Sequence, residues 1–286
     1  MRIRGDHGVA HRGGPGEGAL ALSCEGLTKH FGGVVAVEDV SLGIPRHGLF
    51  GLCGPNGAGK STLFNLLAGS LHPEQGGVWI DGLPASGRSA AERTRLGLAR
   101  TWQAVRLMKD RTVLDNVAVA CVRPLGRPLW RAVARTDYAR VRTRAREVLH
   151  ALDLLSYEGQ LAGELTLEGQ RMVEVARAVA GDPVVILADE PASGLSAAQR
   201  QVLAGLLGEV ATTRPVLMVE HDLDLLAQVS ERIYAMVNGR LVFEGTRGEF
   251  TASEVNRTLR GLGLGEAGGG DWEGASTPDL QGDRAT

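Results

Sequence analysis

Strand-length apolar runs alternate along the chain with longer stretches whose apolar residues recur at helical spacing, and this alternation predicts an α/β fold. Leu20–Cys24, Val34–Val37 and Val40–Leu42 read as short strands of an antiparallel lobe. Leu49–Cys53 is a compact apolar strand that enters a glycine loop, and an apolar helix follows over Ser61–Leu67. Val78–Ile80 reads as a strand closed by an Asp81-Gly82 turn, and Leu96–Arg100 as a strand leading into Thr101-Trp102-Gln103. From Val113 to Leu155 the period is helical: Thr112 can cap the first helix, and an Arg-studded helix spans about Trp130 to Leu155. A helix over Gln170–Ala180, a strand over Val184–Ala188, a helix near Ala197–Val210 and a strand over Val216–Val219 come next. Asp222 can cap a short helix ending at Val229. Ile233–Val237 and Arg240–Phe243 flank Asn238-Gly239, a hairpin signal because both turn positions favour positive φ.

Residues 1–18 and 265–286 are rich in glycine or charge and lack an apolar period, so both are expected to be disordered tails around a domain of residues 19–264. The 286 residues are 43% apolar and 22% charged, ordinary globular usage. A net charge of −2 argues against a dedicated nucleic-acid binder. No apolar run reaches the roughly 18 residues that cross a bilayer. The N-terminus has arginines but no apolar core of a secretory signal. Cys24, Cys53 and Cys121 show no ligand-like spacing and fit reduced thiols of an intracellular protein.

Gly54, Pro55, Asn56, Gly57, Ala58, Gly59, Lys60, Ser61 and Thr62 form a complete G-x-x-x-x-G-K-[ST] loop between the predicted strand and helix. Glycines let the backbone curl so that successive N–H groups point at phosphate oxygens, and the helix N-terminus adds positive field. Lys60 can reach the β- and γ-phosphates of ATP, and the Ser61 hydroxyl can meet Mg²⁺. A second pattern, Val184-Val-Ile-Leu-Ala-Asp189-Glu190, is an apolar strand ending in two acids. Such a strand delivers Asp189 to its C-terminal end to hold Mg²⁺, and places Glu190 to orient or deprotonate the attacking water.

With Val219-Glu220-His221-Asp222, these two patterns resemble the Walker A, Walker B and switch-histidine elements of ABC ATPases, over about residues 19–263. The resemblance implies a RecA-like P-loop NTPase core with an antiparallel β subdomain and an inserted α-helical subdomain at about 104–178. It implies that Phe31 stacks on adenine, that Gln103 touches Mg²⁺ and faces a membrane subunit, and that His221 contacts the γ-phosphate. Ser193-Gly194-Leu195-Ser196 falls on the D-loop. Ala99-Arg-Thr-Trp-Gln-Ala-Val-Arg-Leu-Met108 and Thr112-Val-Leu-Asp-Asn116 resemble, more narrowly, blocks of branched-chain amino-acid importer ATPases of the LivG type, a subgroup with relatives for urea and amides. Implied partners are integral-membrane permeases, a second ABC ATPase subunit and, indirectly, a periplasmic or extracellular solute-binding protein. The implied place is peripheral, on the cytoplasmic face of the membrane.

The family's L-S-G-G-Q signature is altered. Aligned without gaps, the chain reads Leu165-Thr166-Leu167-Glu168-Gly169, which keeps a hydroxyl at Thr166 and brings a carboxylate towards the partner's phosphate. A shifted alignment recovers Gly169-Gln170 but rotates the helix face by about 100°, so the ungapped reading, with Thr166 and Gly169 as nucleotide contacts, is preferred. It favours a heterodimer over a homodimer. The arginines between Arg123 and Arg146 read first as a solvated helix face, with contact to anionic headgroups or a permease as the alternative. A non-transport ABC ATPase acting on nucleic acid or ribosomes is the alternative function; such chains carry two cassettes or a long coiled-coil insertion. A kinase or GTPase on the same loop would leave His221, Gln103 and Phe31 without roles.

Overall fold

A computed structural model describes residues 20–102, 104–122 and 135–264, with side chains of 135–137 excepted. Gln103, the two expected tails and the start of the expected Arg-studded helix lie outside the described residues.

The N-terminal lobe is an antiparallel sheet of β1 (Leu22–Phe31), β2 (Val34–Ile44), β4 (Gln75–Ile80) and β5 (Leu83–Pro84), in the order β2-β1-β4-β5. Val34–Val37 and Val40–Leu42 belong to one strand rather than two. Asp39, at φ 50°, and register shifts against β1 bulge the pairing where the apolar run is interrupted. The second sheet runs β10-β9-β3-β8-β7-β6, from β3 (Leu49–Cys53), β6 (Leu98–Arg100), β7 (Val185–Asp189), β8 (Val216–Val219), β9 (Arg232–Val237) and β10 (Arg240–Thr246). Its strands are parallel except β10, which turns back on β9 through Asn238 and Gly239 at φ 48° and 78°.

Every residue of β3 is buried, as a strand covered on both faces must be. Phe50 and Leu52 point into the core shared with the antiparallel lobe and α1 (Lys60–Ala68). Leu49 and Cys53 point into the opposite core, with α3 (Val113–Cys121), α4 (Arg135–Ala151), α5 (Leu167–Ala180), α6 (Ala197–Ala211) and α7 (Leu223–Val229). Side chains alternate across a strand, so one five-residue segment stitches two cores together.

Three further helices begin outside the expected elements. In α2 (Ala90–Leu96), Ser89 and Glu92 form a reciprocal capping box, and Gly97 ends the helix at φ 112°. Leu96 therefore closes a helix, and β6 starts only at Leu98. α8 (Arg247–Ala252) and α9 (Glu254–Gly261) likewise start at side-chain caps, Thr246 and Ser253.

One buried cation locks α1. Arg93, wholly inaccessible, donates through Nη1 to Leu66 O (2.5 Å) and Leu67 O (2.8 Å), and through Nη2 to Ser86 O (3.1 Å). Leu66 O and Leu67 O are last-turn carbonyls of α1; Gly69 N also donates to Leu66 O at 3.4 Å.

Candidate functional site

The site gathers where β3, β7 and β8 end together. The chain leaves β3 at Gly54, whose φ is 148° and where an added Cβ would stand 2.1 Å from Met236 O. The loop re-enters α1 at Gly59 (φ 97°), where a Cβ would stand 2.1 Å from Ala36 O. Only glycine meets both demands. The turn of the β9–β10 hairpin braces the loop, with Gly239 N donating to Ala58 O at 3.0 Å and Glu38 N donating to Gly239 O at 2.8 Å.

No side chain caps α1, so its first-turn N–H groups are left to the loop's concave side. Lys60 is 6% exposed and donates to Gly54 O (2.6 Å) and Pro55 O (2.9 Å). Burial lowers its pKa, countered by the nearby Glu190 carboxylate. Ser61, Asn56 and Gly57 are exposed, while Ala58 is buried and Thr62 half-buried. This arrangement fits a polyphosphate with Mg²⁺: turned backbone donors and an ammonium for the anion, and hard oxygens of Ser61 and Asp189 for the cation.

β7 carries Asp189 to its C-terminal end. Arg100 Nη2 donates to Asp189 Oδ2 at 2.7 Å and Arg100 Nη1 to Asn65 Oδ1 at 2.8 Å, so β6 and α1 share in fixing that carboxylate. The next residue, Glu190, takes φ 45°, the left-handed region that glutamate rarely enters. Its N–H donates to Val219 O at 3.1 Å, and its Oε1 accepts from His221 Nε2 at 2.8 Å. Lys60, Asp189 with Glu190, and His221 thus come from three segments to one end of the sheet.

Between the β7 and β8 ends lies Glu220, 5% exposed, whose Oε1 accepts from Ala192 N at 2.9 Å. Burial, with the Glu190 charge adding to it, pushes its pKa up to about 7 against the pull of the Ala192 N–H and His221.

Other expected contacts sit apart. Phe31, 48% exposed at the end of β1, has Lys29 Nζ 5.6 Å from its ring centroid; its hairpin partner β2 is the strand against which Gly59 packs. Thr166 caps α5, accepting from Gly169 N at 3.2 Å. The ungapped register therefore places a hydroxyl at the cap and Glu168 in the first turn. Leu167 is 42% exposed and faces Gly194. Among the described residues no hydrogen bond joins Thr166 or Gly169 to the loop 54–62.

The segment around residue 103 is held by α5 from both sides. Arg171 Nη1 donates to Trp102 O (2.7 Å), Arg106 N donates to Glu174 Oε1 (2.8 Å), and Arg177 Nη1 donates to Arg106 O (2.6 Å). Arg100 and Arg106 stack on the Trp102 ring, at 4.3 and 4.0 Å from its centroid. Sequence reasoning missed Arg93, Arg100, Glu174 and Glu220. A buried charge has no local signature, since its partners lie far along the chain.

Residues 37–193 match the ABC transporter family. The high-affinity branched-chain amino acid transport ATP-binding protein LivG of Salmonella typhimurium is 34% identical over 79% of this chain and 91% of that protein. BraF of Pseudomonas aeruginosa, with the same description, is 33% identical over the same shares. Among solved structures, an ATP-binding cassette of an ABC transporter in its ADP conformation superposes with a TM-score of 0.75, at 27% identity, covering 86% of this chain and 99% of that one.

Proposed function

The chain belongs to the ABC transporter family as an ATP-binding, ATP-hydrolysing subunit, and we propose that it powers import of branched-chain amino acids or of related small solutes such as urea and amides. The observation that carries the solute class is likeness to LivG and BraF along nine-tenths of their length, with the Ala99–Met108 and Thr112–Asn116 blocks in it.

Hydrolysis is in-line attack of water on the γ-phosphate, and most of it is positioning and charge. Lys60 and the backbone donors of 54–62 hold the phosphates, while Ser61 and Asp189 are the residues to hold Mg²⁺. Held by Ser61 and Asp189, Mg²⁺ would supply charge neutralisation at the phosphate oxygens. Glu190 orients the water or takes its proton, and His221, bonded to Glu190 at 2.8 Å, keeps that carboxylate aimed and reaches for the γ-phosphate. Gln103 would complete the metal side and report occupancy to a permease; Phe31 would stack on adenine.

The partners in this reading are membrane permeases, a second ABC ATPase subunit that supplies an intact signature, and a solute-binding protein acting through the permeases. A cavity of about 370 Å³ lined by Arg100, Trp102, Glu174 and Arg177, beside residue 103, offers the permeases a foothold. No helix among the described residues is long and apolar enough to cross a membrane, and the subunit would sit peripherally on the cytoplasmic face. The test is ATPase turnover of the complex purified with its permeases and binding protein, scanned over solutes. Leucine, isoleucine or valine should stimulate it, with urea and amides as related substrates. Stimulation only by chemically unrelated solutes would overturn the proposal.

A further inference from the structure

Glu190 and His221 sit at the ends of different strands, and something must keep two strand ends in register for a 2.8 Å contact to persist. The backbone already does part of this: Glu190 N donates to Val219 O (3.1 Å) and Glu220 N to Leu52 O (3.3 Å). Those bonds fix the strand ends but not the turn beyond Glu190, where the chain bends through a left-handed φ into Pro191 and Ala192. The Glu220 side chain reaches that turn. Glu220 leaves β8 one residue before His221, is 5% exposed, and receives the Ala192 N–H at 2.9 Å. It stands next to His221 in the chain and feels the Glu190 charge.

We infer that Glu220 is a positioning residue for hydrolysis: bonded to Ala192 from the position before His221, it clamps the two segments that carry the Glu190–His221 pair. It touches neither nucleotide nor water in this role and acts through Glu190. The inference rests on the proposed role of Glu190.

A buried carboxylate is a costly choice for a purely structural tie, because a hydroxyl or amide would hold one N–H without burying charge. What a carboxylate adds is a charged acceptor, which holds a backbone N–H more strongly than a neutral oxygen. Misplacing a reacting group by about 1 Å can cost on the order of 10²-fold in rate.

The experiment is a double-substitution cycle in the assembled transporter, measuring kcat, KM for ATP, and ATP affinity in nucleotide titration. Glu220→Ala should lower kcat by about 10²-fold with KM and ATP affinity within about threefold. Glu220→Gln, which keeps volume and one acceptor oxygen, should lose roughly tenfold. In a Glu190→Gln background either change should cost almost nothing further, since the group it aims is gone. If Glu220→Ala does not fold, Glu220→Gln alone decides the matter. Wild-type turnover in the folded Glu220 variants, or the same loss with and without Glu190, would overturn the inference. Wild-type turnover in Glu190→Gln alone would instead overturn the role given to Glu190.

Discussion

Replacing Glu220 by glutamine removes a titratable group from a place where burial makes its charge unfavourable, and the consequence for stability has a definite sign. An unfolded glutamate titrates near 4.5, while in the fold Glu220 is pushed up to about 7. Between those values the native state keeps a proton that the unfolded chain has released, so stability falls as pH rises through the window. A difference of about 2.5 units corresponds to about 3 kcal/mol at most, fully lost above pH 7. For a domain of this size that is roughly 6–12 °C in Tm. Glutamine cannot ionise and escapes the penalty. Carboxylates held low by partners, such as Asp224 with Arg260, have the opposite slope, but wild type and variant share them. The quantity to follow is the difference in Tm between Glu220→Gln and wild type, without nucleotide, from pH 5 to pH 8. It should move in the variant's favour by several degrees as pH rises. A difference that is flat with pH, or that favours wild type increasingly at pH 8, would refute the reasoning. The same variant is expected to hydrolyse more slowly, so stability and turnover should separate at one residue.

Glu190→Gln should leave ATP affinity near wild type and reduce turnover at this chain's own site by about 10²–10⁴-fold, read as steady-state phosphate release. Lys60→Ala should weaken ATP binding as well as turnover, by roughly 10–100-fold in a binding titration, because a charged donor to the phosphates is lost in the ground state too. Arg93→Met should lower unfolding free energy by roughly 1–3 kcal/mol in a denaturant titration, since the Leu67 carbonyl stays buried without its donor and Leu66 O keeps only Gly69 N. Leu167→Gly with Glu168→Gly should raise turnover at the reciprocal site of a heterodimer, measured with Glu190→Gln silencing the other site; no change, or a fully active homodimer of the unmodified chain, would remove the asymmetry.

The parts of the fold that could be read from sequence are those where burial is written as periodicity. β3 and β8 were delimited to the residue because both faces of each are covered and the apolar run stops where the sheet does. Asp222 capping α7 was equally readable, because a cap is a local bond: its Oδ1 accepts from Leu225 N three residues on. α2 was missed although its Ser89–Glu92 capping box is just as local, because AAERTRL has no apolar stripe and its tie to α1 runs through Arg93. The candidate site divides the same way. Loop 54–62 and the acids ending β7 follow a local pattern. Arg100 meets Asp189 across 89 residues of chain, and Glu220 meets Ala192 across 28, and no spacing rule announces either.

The start of α5 shows what such a local substitution does to a site that two chains would share. A helix N-terminus draws anions because its first N–H groups are unpaired and its dipole is positive there. In this chain Thr166 occupies one of those groups by accepting from Gly169, and Glu168 places a carboxylate in the same turn. An acid in the first turn stabilises the helix by roughly 0.3–1 kcal/mol, using for the helix's own benefit the field that would otherwise attract a phosphate across a dimer interface. Leu167 adds an exposed apolar side chain against Gly194 where a glycine would leave room. Neither change touches the loop at 54–62 or the Glu190–His221 contact. One surface of the subunit is thus suited to bind and cut its own ATP, while the surface it would offer to a partner's ATP is electrostatically poorer. On that division, a heterodimer with an intact signature facing this chain's own site would be the assembly that leaves Glu190 and His221 in use.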